Sequence, residues 1–288
     1  MIVLTGANGR LGRAIARTLH ARGLAGGVRL TARDPSKAAD LAAQGFAIAA
    51  ADYSSPSSLD AAFAGATTVF LISATGPTPV RIPLHRNAID AAVRAGVRHI
   101  IYTSRVNPVA TSPYSFSAIH ADSEAYIRSR PVAYTFLRNN EFSENLDPWL
   151  AAACETGVLE YGAKGKIAFI CRMDAIDASI AVLTGTGHEG RTYEFSGPEA
   201  LDRDDMARVL SEATGRTITA SRGGPEDFSA ALAAQGRPDF VVELGAGIYR
   251  ASEAGEWCRS SDDPPRLAGH PSTSLSSYIK LKFARLPS

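Results

Sequence analysis

The stretch Met1-Ile-Val-Leu-Thr-Gly6-Ala-Asn8-Gly9-Arg10-Leu11-Gly12 decides the fold. Residues 2–5 are a short apolar run suited to a strand. From Leu11 to His20 apolar residues return at helical spacing, at Leu11, Ile15 and Leu19. Between strand and helix stand glycines at 6, 9 and 12, each where a side chain would interfere. Gly6 permits a tight turn, Gly9 lets the backbone approach a pyrophosphate, and Gly12 lets the helix sit close to the sheet. The first N–H groups of the helix then face the phosphates, Arg10 adds a positive charge, and Asn8 and Leu11 complete the loop. A glycine motif carries weight only with a strand before it and a helix after it, and this one has both.

Outward from that loop the chain alternates. Strands are expected at Val28–Thr31, Phe46–Ala51, Thr68–Ser73, His99–Thr103 and Val132–Leu137. Helices are expected from Pro35 through Leu41 (closed by Gly45), from Ser55-Pro56, over Ile82–Ala95 and over Ala118–Ser129. The runs at 69–72 and 99–102 are apolar without alternation, as in strands covered on both faces. This is the pattern of a doubly wound parallel α/β sheet of the Rossmann type, over residues 1–140. Residues 141–288 mix strand-like and helix-like pieces, with punctuation at Gly162, Gly165, Gly187, Gly190, Gly197 and Pro198. They read as a smaller mixed α/β substrate-binding region packed on the first domain, with some segments returning to its sheet. Gly223–Pro238 reads as a loop or lid, Ser260–Pro271 as turns, and Thr273–Ala284 as a last helix.

The end of the second strand chooses the cofactor. An acidic residue there would bond a ribose 2′-hydroxyl and select NAD. The chain has Thr31-Ala-Arg33-Asp34, and the Arg33 guanidinium suits a 2′-phosphate. NADP(H) is therefore expected over NAD(H), with an inward-turned Asp34 as the counter-argument. Asp52, after the third strand, either contacts the adenine amino group or caps a turn. Ile72, Ser73, Thr103 and Ser104 stand at strand ends, where a parallel sheet places ligands and where hydroxyls also cap.

Composition narrows the class. Thirty basic residues against 29 acidic ones leave no basic surface for nucleic acid. No stretch approaches the ~20 apolar residues of a membrane span. The first residues run straight into the strand pattern, without a basic leader or cleavage site, so the cytoplasm is the expected location. Cys154, Cys171 and Cys258 are scattered and odd in number, which suits reduced thiols. The six histidines show no ligand spacing, so no metal is expected, and no GxSxG elbow appears.

Four passages carry a family resemblance: Thr5–Gly12; Arg33-Asp-Pro-Ser-Lys-Ala38 with Ala51-Asp52-Tyr53; His120-Ala-Asp-Ser-Glu124 leading to Tyr134-Thr-Phe-Leu-Arg-Asn-Asn140; and Gly187-His-Glu-Gly-Arg-Thr-Tyr-Glu194 with Gly197-Pro-Glu-Ala200. Together they resemble the NmrA-like atypical short-chain dehydrogenases, and within them the quinone oxidoreductase type 2 and triphenylmethane reductase subgroup. The resemblance extends to Ser261-Asp262-Asp263. It implies a nicotinamide cofactor along the strand ends, beside the segment from Phe136 to Phe142 that holds Leu137, Arg138 and Asn139. It also implies a site position for His120.

The Tyr-x-x-x-Lys pair of ordinary short-chain dehydrogenases is missing. Tyr102 is followed four residues on by Val106, Tyr114 by Ala118, and Tyr126 by Arg130. Quinones, iminium ions and cationic dyes accept hydride into a delocalised system and need little protonation, so they suit such a site. His120 is either the acid that protonates a quinone oxygen or a histidine that only packs. Tyr114, Phe116 and Phe142 are either an aromatic wall for a flat substrate or core. Asn140 and Glu141 depart from the Gly-aromatic pair of the subgroup, and Glu141 would favour a cationic substrate. The expectation is a reductase of a small conjugated molecule, compatible with a homodimer. The alternatives are an NADP(H)-sensing regulator without turnover and a pathway-specific carbonyl or imine reductase.

Overall fold

The fold was established from a computed structural model that describes residues 1–161 and 163–284; Gly162 lies outside the described residues. In chain order the elements are β1 (Ile2–Leu4), α1 (Arg10–Ala21), β2 (Val28–Ala32), α2 (Ala39–Ala43), β3 (Ala47–Ala50), α3 (Pro56–Phe63), β4 (Thr68–Leu71), α4 (Thr78–Arg94), β5 (His99–Arg105), α5 (Ser115–Arg128) and β6 (Ala133–Asn139). There follow α6 (Asp147–Thr156), β7 (Val158–Leu159), α7 (Arg172–Thr184), β8 (Arg191–Phe195), α8 (Arg203–Thr214), β9 (Thr219–Ala220), α9 (Pro225–Ala234), α10 (Asp239–Glu253), α11 (Asp263–Ala268) and α12 (Leu275–Phe283).

Seven strands form one sheet in the order β3-β2-β1-β4-β5-β6-β8, and β7 pairs with β9. The pairings β1 with β2, β1 with β4, β2 with β3 and β4 with β5 are all parallel. Strand order reverses between β1 and β4. That switch point is where doubly wound sheets open a crevice for ligands, and the glycine loop leaves β1 there.

The chain divides into two compact units, each built from three segments. One comprises Met1–Ser104, Ile119–Arg138 and Ile176–Tyr193; the other comprises Arg105–Ala118, Asn139–Ala175 and Glu194–Ser288. Ile176–Tyr193, beyond the expected boundary at residue 140, falls in the first unit, and Arg105–Ala118 falls in the second. β8 enters the large sheet because its tyrosine and phenylalanine, Tyr193 and Phe195, are buried on alternate positions. The first unit is centred on Val3, Leu71, Ile100 and Phe136 from strands, with Leu59, Phe63, Ile89 and Ile127 from helices. The second has its own core around Leu150, Phe169, Leu210, Trp257 and Ile279.

Some segments differ from expectation. The lid-like run Gly223–Pro238 contains the helix α9 (Pro225–Ala234). Pro225 occupies its first turn, and the Asp227 carboxylate accepts the Gly224 N–H at 2.8 Å. Phe228 and Leu232, one turn apart, bury a face against Gly245 of α10, where a Cβ would stand 2.6 Å from a Leu232 methyl. Within the turn-rich tail, Asp263–Ala268 is the short helix α11. The long helix α4 starts at Thr78, four residues before the expected Ile82, with Pro83 inside it.

Candidate functional site

The glycine loop has the geometry its sequence demands. Gly6 is left-handed at φ +70°, and the Gly9 N–H donates to its carbonyl at 2.9 Å. Gly12 has least room: a Cβ there would lie 2.3 Å from the Gly6 oxygen, whereas one at Gly9 would lie 3.3 Å from it. No side chain caps α1, and its first turn holds no acidic residue, so no side chain competes for its N–H groups. Arg13 and Arg17 bind Asp40 and Arg22 binds Asp177, while Arg10 and Arg33 are exposed. Asn8 donates to the Asp34 carbonyl at 2.8 Å, which ties the loop to the end of β2.

Both aspartates in question cap turns. Asp34 accepts the Ser36 N–H at 3.1 Å and its hydroxyl at 2.6 Å, so it does not turn inward. Asp52 accepts the Ser54 N–H at 2.8 Å and its hydroxyl at 2.7 Å. The Ser54 bonds hold the Asp52 carboxyl below the usual range, and the Arg33 charge adds to this. An open helix N-terminus with two exposed guanidiniums beside it suits a nucleotide's phosphates.

The strand ends beyond β4 and β5 are tied together. The Ile72 N–H donates to Thr5 Oγ1 at 2.8 Å, the Ser73 N–H donates to Thr103 Oγ1 at 2.9 Å, and Arg81 donates to the Ser73 hydroxyl at 3.0 Å. Thr103 and Ser73 thus cap, as the sequence left open. The Ser104 hydroxyl and the Arg138 guanidinium are committed to the buried carboxylate of Glu124, at 2.7 Å and at 2.9 and 2.8 Å. Leu137 is fully buried in β6, and Asn139 ends that strand.

His120, only 6% exposed, belongs to a buried polar cluster. Its Nδ1 is 2.9 Å from the Tyr102 hydroxyl. His85 Nε2 accepts the Ala74 N–H at 2.8 Å, and its Nδ1 lies 2.8 Å from Ser123 Oγ and 3.3 Å from the Tyr102 oxygen. Burial, aided by the Arg81 charge, pushes His85 down to about 3, so it is neutral. Burial raises the Tyr102 phenol well above its ordinary value and keeps it protonated. Sequence reading missed His85, Tyr102, Arg81 and Ser123, because nothing local relates residues that α4, β5 and α5 bring together. Tyr126 and Arg130, the nearest thing to a Tyr–Lys pair, are both bound to Asp90.

In the second unit Arg105 binds Glu141 at 2.7 Å, and both are nearly buried. Glu141 is thus an ion-pair partner of Arg105. The Arg105 guanidinium lies over Tyr114 at 4.4 Å and Trp257 at 4.2 Å. Tyr114 meets Trp257 and Phe116 edge-on in the core, and Phe142 lies under Arg172 at 5.3 Å. Asn140 donates to Ser196 Oγ at 3.1 Å and to the Trp257 carbonyl at 3.0 Å. A cavity of about 460 Å³ in this unit is lined by Asn107, Asn140, Ser196, Trp257, Arg259 and Asp263, among others, and by none of Tyr114, Phe116, Glu141 and Phe142.

Among the described residues no group of three or more His, Cys, Asp or Glu side chains is placed to hold a metal ion. No described helix is long and apolar enough to cross a membrane. All three cysteines are free.

Sheet order, glycine loop and charges define a dinucleotide-binding α/β protein of the Rossmann class. The chain belongs to the NAD(P)H-binding family, whose model matches residues 6–149. It is 35% identical over 284 residues to quinone oxidoreductase 2 of Escherichia coli (strain K12), covering 98% of this chain and 99% of that one. The crystal structure of the E. coli NADPH-dependent quinone oxidoreductase complexed with NADPH matches with a TM-score of 0.92, covering 98% of this chain and all of that one, at 35% identity. Citrobacter sp. triphenylmethane reductase complexed with NADP(H) matches with a TM-score of 0.90, at 32% identity, covering 97% of this chain and 99% of the reductase. The resemblance to the NmrA-like group and this subgroup holds.

Proposed function

We propose that this chain is an NADPH-dependent oxidoreductase that transfers hydride to a quinone or a similar conjugated or cationic small molecule. The observation that carries the reading is the open N-terminus of α1 behind the glycine loop, with exposed Arg33 at the end of β2. The activities and cofactors of these relatives point the same way. Gly6, Gly9 and Gly12 give the pyrophosphate access to backbone N–H groups, with Asn8, Arg10 and Leu11 around it. Arg33 binds the 2′-phosphate. Ile72, Ser73, Thr103, Leu137 and Asn139 line the path of the cofactor. Ser104 and Arg138 shape that path through Glu124, and Asp52 holds its turn. Bound cofactor supplies the hydride; the chain supplies position and electrostatics. The free thiols suit the reducing cytoplasm.

The test is oxidation of NADPH and of NADH, in separate assays, against several quinones and a cationic triphenylmethane dye. Turnover with NADPH well above NADH is expected. Tight NADP binding with no turnover would replace this reading with a cofactor sensor. Turnover confined to one carbonyl or imine compound would make the protein a pathway enzyme.

A further inference from the structure

The glycine loop carries little that could hold its own shape. Gly6, Gly9 and Gly12 have no side chains, and glycine gives up more conformational freedom than any other residue when it is ordered. What surrounds the loop must help to fix it, and Ile72, one residue past β4, lies against it. A Cβ added at Gly6 would stand 3.5 Å from Ile72 Cβ, and one at Gly12 would stand 3.2 Å from Ile72 Cδ1. Side chains in turn hold the Ile72 backbone. Its N–H donates to Thr5 Oγ1 at 2.8 Å, and its carbonyl accepts from the Tyr53 hydroxyl at 2.8 Å. The same hydroxyl reaches Thr5 Oγ1 at 2.7 Å, so Tyr53 joins the residues that follow β1 and β4 at the switch point. Tyr53 is itself anchored, because Asn87 of α4 donates to its carbonyl at 2.9 Å. All of these residues belong to the first unit.

We propose that Tyr53 is a positioning residue for the cofactor's pyrophosphate, acting through Ile72 to hold the glycine loop in its binding shape. The inference rests on the glycine-loop reading of the cofactor site and gives a part to a residue that reading does not use. A loop already held in shape loses less freedom on binding, so the pyrophosphate meets aligned N–H groups. Burial raises the Tyr53 phenol well above its ordinary value, so the hydroxyl stays protonated and remains a donor at neutral pH. The loop serves both nicotinamide cofactors alike, because NADP(H) and NAD(H) share the pyrophosphate. Loss of the Tyr53 hydroxyl is therefore a loss of affinity without a change of preference, unlike loss of Arg33.

Calorimetric titration of Tyr53→Phe tests this with three probes: NADPH, NADH and adenosine 2′-monophosphate, which lacks the pyrophosphate. NADPH and NADH should each weaken about threefold to tenfold, the scale of one hydrogen bond, with their ratio unchanged, and adenosine 2′-monophosphate by less than about twofold. Equal weakening of all three would reduce Tyr53 to a packing role, and unchanged NADPH affinity would remove its role altogether. Ile72→Ala, which deletes the side chain against the loop, supplies the second test. In that background Tyr53→Phe should weaken NADPH by less than about twofold more, because both changes break one chain of contacts. A full additional loss there would mean that Tyr53 does not act through Ile72. If the unmodified protein binds neither NADPH nor NADH, the glycine-loop reading fails and takes this proposal with it.

Discussion

Choice between the two nicotinamide cofactors comes down to one phosphate and one side chain. Arg33 is exposed at the end of β2, and the two neighbouring aspartates cap turns: Asp34 accepts from Ser36 and Asp52 from Ser54. Arg33→Ala should weaken NADPH about tenfold to a hundredfold, the scale of a charge-assisted bidentate bond, and leave NADH nearly unchanged in a fluorescence titration. Equal weakening of both would remove the 2′-phosphate from Arg33. The glycines are expected to separate. Gly12→Ala brings a Cβ against the Gly6 backbone oxygen, which cannot move like a side-chain tip, so urea denaturation should show a loss of about 1–3 kcal/mol. Gly9 lies in ordinary extended backbone at φ −81°, and its demand is for space outside the loop. Gly9→Val should fold and fail to bind cofactor; retained affinity would contradict the glycine-loop assignment.

At the scale of elements, the α9–α10 pair shows how a small residue defines a helix contact. Gly245→Val should push into Leu232 and Phe228, at 2.6 and 2.9 Å from a new Cβ. A destabilisation of about 1–3 kcal/mol in chemical denaturation is expected, with cofactor affinity unchanged. An unchanged midpoint would mean that the two helices separate freely. The helix α8 starts on a reciprocal cap, in which the Asp202 carboxylate accepts the Asp205 N–H at 2.9 Å. This legible signal lay in a region the expectation left as mixed. The misreading of Gly223–Pro238 has the same origin. Pro225, Asp227, Phe228 and Leu232 are helix signals in sequence, but small and polar neighbours dilute the period until Gly245 supplies the surface that rewards it.

Across the whole molecule, buried neutral histidine makes acid the vulnerable direction. His85 falls from its ordinary 6.5 to about 3 in the folded state. Below pH ~6.5 the unfolded chain takes up a proton there that the folded chain refuses. His85 stability is thus complete above that pH and is lost as pH falls toward 3, at up to about 1.4 kcal/mol per pH unit. Asp52 and Asp205, both held below the usual carboxylate range by hydrogen bonds, extend the loss to lower pH with the same sign. Thermal unfolding midpoints should fall between pH 7 and 5; a flat profile there would show that His85 is not held neutral.

Local order was within reach of the sequence because short-range physics writes it. A strand, three glycines and a helix occupy 20 consecutive residues, and alternation of apolar runs with helical periods gives the parallel sheet and its switch point. Arg33 was legible for the same reason, as its place follows from β2 ending there. Tertiary structure alone decided how the later segments divide between the two units and which charges are already paired. Ser104 and Arg138 meet Glu124, Glu141 meets Arg105, and His120 meets Tyr102 and, through it, His85. Those partners stand 14 to 36 residues apart in sequence. Their hydrogen bonds depend on where strands and helices end in space, which no periodicity along the chain encodes.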